Sequence, residues 1–337
     1  MIARTLYLVN NMANTFLVDN CTFNGCNKSC RYCRAHKKTK GSEEAVEKSL
    51  SLLETYVNAT ILKISGYGEI TLARNWKQLV GRHDWPYEKV QVITNATLLS
   101  EGDIDWLASR GYSLCVSLDG NTSSSNAARS SSSAEVTRII KNLTYASSLG
   151  IPIEINTVLT QFNINQLEPF LDFVESLNCV CYPFPVRENR LYGRGKSLKP
   201  SKKDAEKSIG RLIDGFSSFC RSLPPKVYLE SLMQFMLEGE RGICHVPETI
   251  MGISPESDLL KCPCSGTQKI ANILSGGKEA FDRYFAQRSS GGYDKECKDC
   301  FTHYEVMNLF LENKITEIEM NQLPLFRNLN LVAMKSA

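Results

Sequence analysis

Strand-like and helix-like stretches alternate from residue 14 to residue 186, and this alternation narrows the fold more than any other feature of the chain. Residues 14–20 read as a first strand. Between 42 and 58, Val46, Leu50, Leu53 and Val57 recur at helical spacing. Residues 60–65 are apolar and β-branched and stop at Gly66-Tyr67-Gly68-Glu69, a strand followed by a turn. Residues 90–95, 112–120, 151–159 and 180–186 read as further strands. Helical patterns fall between them at 101–110, 135–148 and 167–177, and residues 122–133, dense in Ser and Asn, read as a loop. The last strand carries Pro183 and Pro185 and belongs at an edge. Six such units predict a parallel sheet with right-handed crossovers. An open doubly wound sheet and a partial barrel both satisfy the pattern, and in both the ligands sit at the carboxyl ends of the strands.

Composition excludes several functional classes. Apolar content of 42% and charged content of 22% describe an ordinary globular chain, and a net charge of +3 gives no argument for a nucleic acid or an anionic membrane as partner. No apolar run approaches the ~20 residues of a membrane span. Residues 1–18 carry one Arg and an apolar run broken at Asn10-Asn11, a poor export signal, so the expected location is cytoplasmic. Disulfides are rare there. The thirteen cysteines are also clustered, with Cys21, Cys26, Cys30 and Cys33 near the start and Cys244, Cys262, Cys264, Cys297 and Cys300 near the end. Metal binding explains that clustering best. The four histidines, His36, His83, His245 and His303, form no His-x-x-x-His pair, which disfavours a hydrolytic zinc site.

Cys26-x3-Cys30-x2-Cys33 can hold three corners of a four-iron cluster and leave one iron open. A zinc site short of one ligand is the lesser alternative for the triplet alone. With Tyr32 before the last cysteine and a strand before the loop, it resembles the radical S-adenosylmethionine (radical SAM) superfamily. The later turns resemble it too: Tyr67-Gly68-Glu69 stands where relatives carry Gly-Gly-Glu, and Thr94-Asn95 and Ser117-Leu118-Asp119-Gly120 follow the next strands. The resemblance implies an α/β fold, a partial (β/α)6 radical SAM barrel followed by a small twitch-like iron–sulfur domain. It implies Cys26, Cys30 and Cys33 as ligands of a [4Fe–4S] cluster that binds S-adenosylmethionine. Glu69 would meet the methionine amino group, and Tyr32, Gly68, Asn95, Ser117 and Asn156 complete the expected cofactor contacts. Read without the resemblance, Glu69 is an exposed turn residue, Asn156 an ordinary buried polar residue and Asp119 a loop cap. Arg129 follows at a spacing seen in relatives, with no role assigned.

Beyond residue 186 the βα rhythm fades. Residues 187–205, with Lys196, Lys199, Lys202 and Lys203, read as a polar linker, and a helix with Ile209, Leu212, Ile213 and Phe216 on one side follows. Pro224-Pro225 breaks the chain. Residues 249–254 and 259–262 read as a hairpin, with helices at 278–288 and 304–313. Cys244-x17-Cys262 and Cys297-x2-Cys300 resemble the twitch domain, a short relative of the SPASM domain, which holds one auxiliary [4Fe–4S] cluster. Ser257 replaces the hairpin glycine usual there. A structural zinc on the same four cysteines is the alternative. Cys264 is expected as a packed thiol, a substitute ligand or a catalytic hydrogen-atom donor. Cys115, Cys179, Cys181 and Cys220 read as small buried hydrophobes, and Cys21 has no recognisable role. The expected domains are a core at 1–200, a helical connector at 201–240 and the auxiliary domain at 241–337.

The activity implied is reductive cleavage of S-adenosylmethionine to a 5′-deoxyadenosyl radical, which takes a hydrogen atom from a substrate carbon. A flavodoxin- or ferredoxin-type protein would supply the electron. Epimerisation or dehydrogenation of a sugar or aminocyclitol is the leading expectation, since little chain precedes Cys21 for a peptide-recognition domain. Modification of a ribosomally made peptide or protein is the alternative, and a non-enzymatic zinc module the third. The ending Met334-Lys-Ser-Ala337 lacks the Gly-Arg tail of the molybdopterin-forming relatives.

Overall fold

The structure is a computed structural model that describes residues 13–33, 42–82, 85–187, 198–264, 268–288 and 295–336. Most of the expected linker with Lys196, His36 and His83, and residues 1–12 and 337 of the two chain ends lie outside the described residues.

Six parallel strands form in the expected order: β1 (Ala13–Phe23), β2 (Val57–Gly66), β3 (Lys89–Thr94), β4 (Ser113–Ser117), β5 (Ile153–Leu159) and β6 (Val180–Pro185). They lie side by side as β6-β5-β4-β3-β2-β1, with β6 at an edge as its prolines require. That order decides what the sequence pattern leaves open. A doubly wound sheet reverses strand order at a switch point and carries helices on both faces. An unbroken sequential order with right-handed crossovers keeps every helix on one face, and the sheet curls. The result is an open, partial barrel.

Local signals place the helices. Glu43–Tyr56 starts at Ser42, whose hydroxyl accepts from the Ala45 N–H, and buries Val46, Leu50 and Leu53. Glu101–Ser109 and Ser133–Ser148 both open with capping boxes, Ser100 with Asp103 and Ser132 with Glu135. Several polar side chains inside the barrel share the Glu154 carboxylate. Gln91 Nε2 donates to Glu154 at 2.9 Å, and the Tyr182 hydroxyl donates to the same carboxylate at 3.3 Å. The Leu325 N–H donates to Glu154 at 3.2 Å and Phe326 stacks on Phe16, so the C-terminal segment is pinned near the amino ends of the strands.

The C-terminal part extends the same sheet. β7 (Ile250–Ile253) runs parallel to β1 with Leu17 opposite Ile250, and β8 (Asp258–Leu260) and β9 (Lys269–Asn272) follow antiparallel. The expected hairpin is therefore present, one strand longer than read. At its turn Ser257 takes a left-handed φ of 65°. Such a conformation costs a side chain about 1–2 kcal/mol. The buried Ser257 hydroxyl meets that of Ser49 at 2.7 Å, which offsets part of it. Ile273–Gln287 is helical with a break at Gly277, and the last predicted helix is shorter than expected, Glu305–Leu311. Cys115, Cys179 and Cys181 are buried as expected, but Cys220 is exposed. It follows Phe216–Phe219, a short helix that buries none of its side chains. Among the described residues no helix is long and apolar enough to cross a membrane.

Candidate active site

The carboxyl ends of the strands converge on a cavity of about 290 Å³. Cys26, Cys30 and Cys33 line it together with Tyr32, Gly68, Glu69, Asn95, Ser117 and Asn156. Every residue expected at the amino-terminal site is thus brought to one place, by parallel strands whose turns all open on one side.

The cysteine loop is fixed by its neighbours. The Arg31 N–H donates to the Ala128 carbonyl at 2.8 Å, and the Cys30 thiol reaches the Arg129 carbonyl at 3.8 Å. The Lys28 ammonium joins the Ser130 carbonyl at 3.0 Å and Glu135 at 2.9 Å. The Glu69 N–H donates to the Gly25 carbonyl at 2.7 Å. A Cβ on Gly68 would lie 2.0 Å from that same oxygen, so the two turns meet backbone to backbone and only glycine fits between them. Burial pushes the Cys26 and Cys30 thiols up, and at Cys30 the Arg129 guanidinium opposes it.

Glu69 is buried, not exposed as an isolated turn residue would be. Its carboxylate accepts from the Thr71 hydroxyl at 2.7 Å, the Asn95 N–H at 2.6 Å and the Thr94 hydroxyl. It is held rigidly at the cavity wall. The Asn95 side chain is committed to the loop, with Nδ2 donating to Asn27 at 2.9 Å and Oδ1 accepting from the Thr97 N–H at 3.0 Å. Asn156 Oδ1 is buried and has no hydrogen-bond partner among the described residues. Three soft thiolate donors, a fixed carboxylate and an unmatched acceptor in one cavity fit an iron–sulfur cluster with a polar ligand beside it.

Asp119 does not cap its loop. One oxygen accepts from the Tyr32 hydroxyl at 2.6 Å and the other from the Val158 N–H at 3.0 Å. Arg129 Nη1 donates to the same Tyr32 hydroxyl at 2.9 Å. Burial pushes the Asp119 carboxyl up and Arg129 pulls it back. This triad ties the cysteine loop to β5.

A second lobe of about 260 Å³ continues the cavity, sharing Tyr32, Cys33, Asn156, Val158, His303 and Tyr304 with it and ending at Pro263 and Cys264. Sequence reasoning missed several residues here. Asp19 and Cys21 line the first lobe, with the Cys21 thiol 3.1 Å from the Ser65 hydroxyl. His303 and Tyr304 line both lobes. One signal was available, a charged Lys63 in the middle of a strand otherwise apolar enough to be buried.

Cys244, Cys262, Cys264, Cys297 and Cys300 ring a smaller space together with Arg187 and Arg241. Arg187 donates to the Cys264 carbonyl at 2.8 Å and to the Cys300 thiol, and Arg241 to the Cys300 carbonyl at 2.7 Å. The Cys264 thiol hydrogen-bonds with Cys262 and Cys300; the contact with Cys262, and then burial, push it up to about 12. Among the described residues no group of His, Cys, Asp or Glu is arranged to hold a single metal ion.

Residues 20–174 match the radical SAM superfamily. An uncharacterised protein of Archaeoglobus fulgidus is 24% identical over 262 residues, which are 75% of this chain and 58% of that protein, so the chain spans less than two thirds of that relative. Among solved structures, native anSMEcpe with bound AdoMet and a Cp18Cys peptide is similar at a TM-score of 0.61 and 18% identity, covering 87% of each chain. Streptococcus suis SuiB bound to its precursor peptide SuiA is similar at 0.63 and 18% identity, covering 88% of this chain and 72% of that one. SuiB bound to S-adenosylmethionine is similar at 0.64 and 18% identity, covering 89% and 73%.

Proposed function

We propose that the chain is a radical SAM enzyme, a reading that the match over residues 20–174 supports, and that it acts on a residue of a peptide or protein. The superfamily implies S-adenosylmethionine and a [4Fe–4S] cluster. When bound, they supply a 5′-deoxyadenosyl radical that takes a hydrogen atom from the substrate. The observation that carries the radical-generating part of the reading is the cavity lined by Cys26, Cys30, Cys33, Gly68, Glu69, Asn95, Ser117 and Asn156.

Each residue has a role in it. Cys26, Cys30 and Cys33 hold the cluster, and Glu69, fixed by Thr71, Thr94 and Asn95, receives an ammonium. Ser117 and Asn156 face the remaining polar groups of the cofactor. The Tyr32–Asp119–Arg129 triad keeps the loop from moving.

Two observations favour a peptide over the sugar or aminocyclitol that the sequence reading preferred. Two of the similar structures, anSMEcpe and SuiB, have peptides bound. The second lobe also presents Val158, Phe184, Pro185 and Pro263, a poor lining for a molecule with a hydroxyl on most carbons.

The auxiliary reading follows from the C-terminal cysteines. Cys244, Cys262, Cys297 and Cys300 hold a second [4Fe–4S] cluster, and Arg187 and Arg241 offset its negative charge. Cys264 faces the substrate lobe from beside that site. As a hydrogen-atom donor it would return S–H hydrogen to the substrate radical, its own thiyl then being reduced by one electron from a flavodoxin- or ferredoxin-type protein and one proton. The functional division is a radical-generating core at 1–200, a connector at 201–240 and the auxiliary part at 241–337.

The test is coupling of cofactor cleavage to substrate. A pool of ribosomally made peptides is expected to raise 5′-deoxyadenosine formation and to gain altered residues by mass spectrometry. Stimulation by aminocyclitols and not by peptides would overturn the peptide reading.

A further inference from the structure

Lys63, on β2, is fully buried inside the barrel, where an ammonium is costly unless compensated. Its Nζ lies 3.0 Å from His303 Nε2 and 4.8 Å from the centre of the Tyr304 ring. Asp19 is its register partner on the neighbouring β1, and the Asp19 carboxylate accepts from the Tyr304 hydroxyl at 2.9 Å. Asp19 is further engaged by the Ser65 hydroxyl at 3.0 Å and the Cys21 thiol at 3.5 Å. Neither Asp19 nor any other described carboxylate therefore takes Lys63 as a direct ion-pair partner.

An ammonium can only donate. His303 Nε2 must accept, which leaves the ring proton on Nδ1. Burial, then the charges of Lys63 and Arg187, push the imidazole well below its usual range, so the ring is neutral. Tyr304 lies against it with ring centres 4.1 Å apart, and Tyr182 and Phe184 flank it at 6.3 and 6.2 Å. The ring is therefore clamped, yet it is partly exposed and lines both lobes of the cavity. Nδ1 has no hydrogen-bond partner among the described residues.

We propose that His303, oriented and polarised by Lys63, donates a hydrogen bond to an acceptor oxygen of the substrate, the amide carbonyl next to the carbon that loses its hydrogen. The proposal rests on the peptide reading for the identity of that oxygen. A neutral imidazole backed by an ammonium presents a strong donor without placing a second cation at the cavity wall. Its hydrogen bond strengthens as unpaired spin spreads onto the carbonyl and negative charge gathers on the oxygen. Lys63 is a positioning residue, acting only through His303.

The experiment uses the holoenzyme loaded with S-adenosylmethionine, its histidines labelled with nitrogen-15. The chain has four histidines, and the ring signal missing from His303→Gln assigns His303. His303→Asn serves the same purpose if that variant does not fold. A neutral ring protonated on Nδ1 is expected at about pH 6. Lys63→Met is expected to lose that tautomer preference; should it not fold, the wild-type tautomer decides. N-acetylalanine N-methylamide, the probe, is expected to shift the Nδ1–H signal, and myo-inositol to leave it in place. A proton on Nε2, a charged ring, or an Nδ1–H signal that neither probe moves overturns the proposal whatever the substrate. A shift with myo-inositol alone overturns it through its premise, the peptide reading.

Discussion

Replacing Gly68 by alanine probes the point where the cysteine loop and the glutamate turn touch. The new Cβ would lie 2.0 Å from the Gly25 carbonyl oxygen, and real Cβ atoms essentially never come under 3.0 Å, so one backbone must retreat by at least 1.0 Å. The Glu69 N–H to Gly25 hydrogen bond, 2.7 Å long, cannot survive that movement. Overpacking and the lost hydrogen bond together cost about 2–4 kcal/mol of stability. The larger effect is on function, because Glu69 and the three cysteines would lose their relative register. A misplacement of about 1 Å costs on the order of a hundredfold in rate. The assay is 5′-deoxyadenosine formation by anaerobic enzyme with saturating S-adenosylmethionine and dithionite, beside urea unfolding. Gly111→Ala is the control. Gly111 has φ +65° and nothing near a new Cβ, so the variant loses about 1–2 kcal/mol of stability and keeps its rate. A Gly68→Ala enzyme with more than about half the normal rate would refute the close-contact reasoning.

Other expected outcomes follow from the same structure. Asp119→Asn leaves the buried Arg129 without its counter-charge and should lower stability by about 3–5 kcal/mol in urea unfolding, whereas Tyr32→Phe should cost about 1–2; equal costs would place no charge in the triad. Cys264→Ala should keep the full iron content and still form 5′-deoxyadenosine but lose any epimerised product, while Cys300→Ala should lose about four irons; iron loss in Cys264→Ala would make it a ligand. Glu135 is held below the usual carboxylate range, first by the Ser132 N–H and then by Lys28. Its stabilisation is therefore present above about pH 4.5 and lost as pH falls below it, an effect that solvent keeps small; a Glu135→Gln stability curve parallel to wild type through that window would contradict it.

The six strands, the cysteine loop and the turns after β2 to β5 were legible because they are local: period, spacing and glycine placement are written within short stretches. The barrel itself was open to two readings until the order β6 to β1 was seen, since alternation alone does not say which neighbour a strand chooses. Lys63 and His303 lie 240 positions apart and meet only through folding, as do Tyr32 and Asp119, 87 apart. Cys220 shows the opposite error. A thiol on a helical pattern reads as buried, but its short helix lies on the surface and nothing in the local sequence says so. At Ser257 a serine takes a left-handed turn, and the hydroxyl it buries there meets that of the distant Ser49.

The claim on which the rest depends is that this cavity holds a radical-generating cluster. Anaerobic reconstitution followed by iron analysis and product analysis tests it directly. About eight irons per chain, with 5′-deoxyadenosine formed on reduction and abolished in Cys30→Ala, is the predicted result. Colourless protein with stoichiometric zinc, no iron and no 5′-deoxyadenosine would contradict it.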